Sequence, residues 1–233
     1  MPDTAIPVSD TSLRAYVNVP TVGFGPWPGV VVIHDALGLT DITRDHADRL
    51  AAAGYVAVAP DLYSRGGLVR CVQATFRSLM AGRGRAFDDI QSVRLWLAGR
   101  DDTSDKVGVI GFCMGGGFVL ATVSSGFAAA APNYGLLPKD LDAALSQACP
   151  IVASFGKRDR TLQGAAATLE RALVEGGIPH DVKEYPEAGH SFLDRFNSGP
   201  LAPLMRIGGI GYHHPSAEDA WGRILQFFAR HLA

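Results

Sequence analysis

The chain has 233 residues, 47% of them apolar and 19% charged, with a formal net charge of −2. That length and apolar share fit a single domain, residues 1–233, around one large core. The near-neutral balance, with no basic stripe and no long charged block, argues against nucleic acid as a partner and against a disordered tail.

Taken in chain order, Leu13 to Val19 alternates sides and stops at Pro20, which predicts an exposed edge strand. Gly29 to His34 is a short β-branched run, the mark of a parallel strand buried on both faces. A loop through Gly38 leads to a helix capped by Thr40 or Asp41 and closed before Gly54. Tyr55 to Ala59 is the next buried strand. Residues 61 to 85 read as loop and helical material. Ala86 to Ala98 has helical spacing, with Ile90, Val93 and Leu97 on one face. Val107 to Pro132 carries no charge, but six glycines and a strand-like start make it buried strand, turn, helix and strand rather than a membrane span. Within it, Phe127 to Asn133 is a weak strand of small residues. Pro150 to Phe155 is a strand, Gly164 to Glu175 a helix, and His180 to Tyr185 a final, partly exposed strand. Residues 194 to 215 have no periodicity and are expected to lie over a site. Ala217 to His231 closes the chain as an amphipathic helix with Trp221, Leu225 and Phe228 facing inward. Such alternation of strand and helix predicts an α/β fold with a mostly parallel central sheet and helices on both faces.

The chemistry centres on Gly111-Phe112-Cys113-Met114-Gly115. An apolar run enters a Gly-x-Cys-x-Gly step and a small-residue helix follows, which is a nucleophile-elbow pattern with sulfur in place of serine oxygen. A nucleophile needs a base, and the base an orienting group. Asp159 follows one predicted strand and His190 another, in the chain order nucleophile, acid, histidine. Carboxyl ends of strands are where open α/β sheets bind ligands. The turn after the first buried strand, His34 to Gly38, would supply one oxyanion-hole N–H at Ala36, and Met114 the other. Asp35 either tunes the thiol or caps a turn. Three scattered cysteines form no disulfide framework and fit a reducing compartment. Met1-Pro2-Asp3-Thr4 lacks a signal-peptide start, so a cytoplasmic location is expected. His213-His214 lacks a third metal ligand nearby, and no metal is expected.

Five segments together resemble the dienelactone hydrolase family of the α/β-hydrolase fold. They are Val31 to Gly38, Tyr55 to Tyr63 with its Ala-Pro-Asp-Leu-Tyr, Gly111 to Gly116, Gly156 to Asp159, and Ala188 to Phe192. The resemblance spans roughly residues 12 to 232. It implies Cys113 as nucleophile, His190 as base and Asp159 as its acid, acting on a small ester or lactone through a thioester acyl-enzyme without metal or organic cofactor. The family commonly carries glutamate where Asp35 stands. The likeness also suggests Arg70, Tyr134 and Arg195 as substrate contacts. It implies a small-molecule substrate, with no nucleic acid, membrane or obligate protein partner. Two rival expectations are a non-catalytic binding protein on the same fold and a redox-sensing thiol that needs a resolving cysteine.

Overall fold

A computed structural model describes residues 3–8, 11–195 and 210–233. Among them are eight strands in one sheet: β1 (Thr4–Val8), β2 (Thr11–Asn18), β3 (Trp27–Ile33), β4 (Val56–Pro60), β5 (Thr103–Phe112), β6 (Ala129–Asn133), β7 (Ile151–Gly156) and β8 (His180–Tyr185). The spatial order is β1-β2-β4-β3-β5-β6-β7-β8. From β4 to β8 all neighbours are parallel, while β2 pairs antiparallel with both β1 and β4.

The flanking helices are α1 (Asp41–Ala52), α2 (Gly67–Ala81), α3 (Arg85–Ala98), α4 (Met114–Thr122), α5 (Leu141–Leu145), α6 (Ala165–Glu175) and α7 (His214–His231). The core lies between helices and sheet. Val30 to Ile33 and Val56 to Ala59 are wholly buried, as continuous β-branched and small-residue runs require when both sheet faces are covered. Ile90, Val93 and Leu97 of α3 are also fully buried. On α7, Ile224 and Phe227 join Trp221 and Phe228 on the inner face, and Leu225 is half-buried. Each such side chain contributes about 1.5–3 kcal/mol of hydrophobic burial.

Two expectations change. The Leu13–Val19 strand is not at the edge. β1 covers it, pairing Ile6 with Leu13. The Thr4–Val8 segment escaped notice because a five-residue strand containing Pro7 carries little pattern, and proline is tolerated on an edge strand. Thr40 does occupy the N-cap of α1, but its side chain makes no capping bond.

The chain order creates a topological switch point. β3 runs by α1 to β4 on one side, and β5 returns to its other side. The loops leaving β3 and β5 therefore diverge over the same gap, the switch point where open α/β sheets bind ligands. Ile33 at the end of β3 pairs with Gly111 near the end of β5.

Candidate active site

Cys113 sits between β5 and α4 with φ 54° and ψ −114°. That is strained backbone for a residue with a side chain, and it turns the chain sharply enough to present the thiol. The flanking glycines follow from close approach. A methyl group on Gly115 would collide with the carbonyls of Ile33 and His34, and one on Gly111 with the carbonyl of Gly115. Cys113 N–H donates to Asn133 O at 3.1 Å, which ties the elbow to β6. Met114, first residue of α4, has an N–H without an intrahelical acceptor.

Asp159 and His190 arrive from the ends of β7 and β8. His190 Nδ1 lies 2.5 Å from Asp159 Oδ2. The other carboxylate oxygen accepts from Thr161 N–H (2.9 Å) and Thr161 Oγ1 (2.6 Å). Gly156 lets the two loops meet, since a methyl there would strike the backbone of Ala188 and Gly189. Asp159 is buried and the His190 side chain is 21% exposed, so the dyad opens only on the imidazole side. Burial opposes a charge on His190, but the hydrogen bond to Asp159, its carboxylate charge and the nearby Cys113 outweigh it and push its pKa up to about 10. Burial likewise opposes ionisation of Asp159, yet the bonds from His190 and Thr161 hold it below the usual carboxylate range. The structure thus brings Cys113, His190 and Asp159 together.

A second polar chain lies beneath. Tyr134 donates to Asp194 Oδ2 at 2.9 Å, and His46 Nε2 lies 2.9 Å from Asp194 Oδ1. His46 stacks on Phe112, the neighbour of Cys113, with ring centroids 3.9 Å apart. Tyr134 packs its ring edge-on against His190 at 5.3 Å. Asp194 belongs to the turn that begins at Ser191, whose carbonyl accepts Asp194 N–H. The bonds from Tyr134 and His46 therefore anchor the His190 loop to β6 and α1. Asp194 carries no motif of its own; only its place four residues after His190 could have drawn attention to it.

The remaining expected site residues fall as follows. Asp35 Oδ1 accepts Leu37 N–H at 2.8 Å, so its carboxyl caps the turn after β3. Burial, above all, pushes its pKa up to about 6. Ala36 follows at the same turn, and its carbonyl accepts from Tyr63 Oη at 3.3 Å. That hydroxyl also lies 3.7 Å from Met114 Sδ, so Ala36 and Met114 flank one side chain. Tyr134 is wholly buried and bonded to Asp194, packed in the core beside His190. Arg195 is exposed and engaged at the surface, donating to Tyr212 Oη at 2.9 Å beside Glu218. Arg70 is exposed on α2. Ile210 to His213, the described end of the 194–215 stretch, does run beside the His190 loop: Ile210 bridges His190, and His213 N–H reaches Phe192 O at 3.1 Å. Residues 196–209 lie outside the described residues. His213 and His214 bond Ser216 and Tyr212, respectively. Burial pushes the Cys149 thiol up to about 12, which keeps it protonated. No helix among the described residues is long and apolar enough to cross a membrane.

The dienelactone hydrolase family profile matches residues 13–232. The chain belongs to the dienelactone hydrolase family. It is 32% identical to a carboxymethylenebutenolidase of Rhodococcus opacus over 87% of this chain and 81% of that one. It is 28% identical to a proposed carboxymethylenebutenolidase of Yersinia pestis over 98% of this chain and 88% of the relative. A crystal structure of a proposed dienelactone hydrolase from Klebsiella pneumoniae superposes with a TM-score of 0.80 at 27% identity, covering 98% of each chain. The α/β-hydrolase fold follows, and with it a carboxylic ester hydrolase of dienelactone hydrolase type.

Proposed function

We propose that this hydrolase cleaves a small ester or lactone through a Cys113–His190–Asp159 triad and a thioester acyl-enzyme. The observation that carries the reading is the 2.5 Å bond from His190 to Asp159, with Cys113 near enough to the same imidazole to help raise its pKa. With Nδ1 taken by Asp159, Nε2 is the nitrogen left for the thiol. A free thiol near pKa 8.5 is only a few per cent ionised at neutral pH. An imidazolium beside the sulfur supplies the missing charge compensation.

Cys113 Sγ attacks the carbonyl carbon, and the C=O electron pair moves to oxygen. N–H groups of Ala36 and Met114 stabilise that oxyanion. On collapse the C–O bond to the leaving group breaks, and His190 gives the alkoxide its proton. His190 then takes a proton from water, and the resulting hydroxide attacks the thioester. Breaking the C–S bond returns the thiolate and releases the acid. The Rhodococcus opacus relative, by its name a carboxymethylenebutenolidase, supports a lactone as one substrate class.

Hydrolysis of p-nitrophenyl acetate tests the reading. Cys113→Ala is expected to lose about 10⁴-fold or more of kcat, and mass spectrometry of the parent protein to show an acyl adduct on Cys113. An unchanged rate in the variant would remove Cys113 from the chemistry. Ligand binding with neither turnover nor adduct would point instead to a binding protein on a hydrolase fold.

A further inference from the structure

We infer that His34 is the positioning residue of the oxyanion hole, acting through the Asp35–Ala36 peptide. This assignment rests on the hydrolase reading above. His34 directly follows β3 and is wholly buried. Its Nε2 lies 3.2 Å from Leu62 N, and a backbone N–H can only donate. Nε2 is therefore the acceptor. Burial holds the ring's pKa below its ordinary value, so it is neutral, and its single proton sits on Nδ1. Nδ1–H then donates to Asp35 O, 2.6 Å away.

The consequence lies on the other side of that peptide. A trans peptide is planar, with its C=O and N–H pointing in opposite directions. The carbonyl that His34 holds belongs to the same unit as the N–H of Ala36. Fixing one fixes the other, turned away from the imidazole. Among the described residues Ala36 N–H meets no acceptor. A hydrogen bond accepted at the carbonyl also withdraws charge from the peptide and makes its N–H a stronger donor. Two further bonds lock the loop: Tyr63 Oη donates to Ala36 O, and Leu37 N–H donates to Asp35 Oδ1. Tyr63 also packs edge-on against the His34 ring at 4.8 Å. Rigid donors aimed at the developing charge are what oxyanion stabilisation requires. Leu62 follows β4, so the imidazole couples the β4 end to the β3 turn. A merely structural cross-brace would serve stability alone, and the two roles predict different kinetics.

Two reactions of the same sulfur separate them. Acylation by p-nitrophenyl acetate forms an oxyanion; alkylation by iodoacetamide does not. His34→Leu is expected to slow the acylation burst by about 10- to 100-fold, with KM within about threefold and the alkylation rate of Cys113 unchanged. His34→Gln, whose amide offers both an N–H and an acceptor, is expected to recover acylation to within about fivefold. The assignment is overturned if acylation is unaffected in His34→Leu. It is equally overturned if acylation and alkylation fall together, or if His34→Gln recovers stability without recovering acylation. Where His34→Leu does not fold, ¹⁵N-histidine spectra of the parent protein decide: an Nδ1–H tautomer at His34 supports the role and an Nε2–H tautomer overturns it. Failure of the parent reading looks different. In that case the unaltered protein forms no acyl adduct at Cys113, and the His34 assignment falls with it.

Discussion

The Cys113 elbow and the His190 loop meet at one site, but they are held by opposite means. The elbow is steric. Gly111 and Gly115 exist because neighbouring backbone leaves no room for a methyl, and Cys113 takes φ 54° because the turn demands it. The His190 loop is polar. Asp159, Thr161, Asp194, Tyr134 and His46 hold it through hydrogen bonds across separate elements. A nucleophile at a strand–helix junction can be placed by local covalent geometry. A base that arrives at the end of β8 must be placed by contacts with residues far away in the chain.

The comparison can be broken at each side. Asp159→Asn is expected to cause the largest loss, about 10³- to 10⁴-fold in kcat, because the amide no longer holds the imidazole in the required tautomer or stabilises its charge. The far-ultraviolet spectrum and unfolding midpoint should change little. Steady-state kinetics beside thermal melts would show that split.

Gly115→Ala is expected to do the reverse, costing about 3 kcal/mol of stability as β3 and α4 are forced apart. Denaturant titration measures it; a loss below about 1 kcal/mol would mean the elbow is not sterically set.

Asp194→Asn probes the anchor of the His190 loop. It leaves Tyr134 or His46 without a matched partner and is expected to cost about 1–3 kcal/mol. Asp194→Ala should cost more still, and an unaltered melting temperature in both would show that the anchor carries no load.

Asp35→Asn is the smallest and has the opposite sign. Its folded pKa of about 6 lies above the unfolded value near 3.9, so the fold disfavours its charge. That penalty is complete above pH 6 and vanishes as pH falls toward 4. Asparagine keeps the cap to Leu37 without the charge, so stability at pH 7 to 8 should rise by about 1–2 kcal/mol and converge with the parent near pH 4. His190 has its own window. Its pKa is raised from 6.5 to about 10, so its contribution to stability is complete below 6.5 and is lost as pH climbs through 10. Unfolding midpoints across pH 4 to 11 read both trends.

Much of this site is legible along the chain because its parts are local. A β-branched run before Gly-x-Cys-x-Gly announces strand, turn and helix together, and Asp159 and His190 each follow a strand at a loop that the topology aims at one rim. The supporting residues are not legible. Nothing about Asp194 or Tyr134 in sequence says that they bond each other, or that the Tyr134 ring packs in the core. The antiparallel edge escaped for the same reason, since β1 is short and gains its identity only by pairing with β2. Arg195 stands near His190 in the chain, yet its guanidinium is drawn to Tyr212 and Glu218.

By itself the sequence determined the alternation of strands and helices apart from β1 and α5, the elbow and the three residues of the proposed triad, because periodicity and steric demand act over a few neighbouring positions. Only the tertiary structure decided what those residues touch: which way the His190 loop is tethered, which proton His34 carries, and which arginine is spent elsewhere. Those outcomes depend on burial and on hydrogen bonds between residues tens of positions apart, and such contacts leave no pattern along the chain.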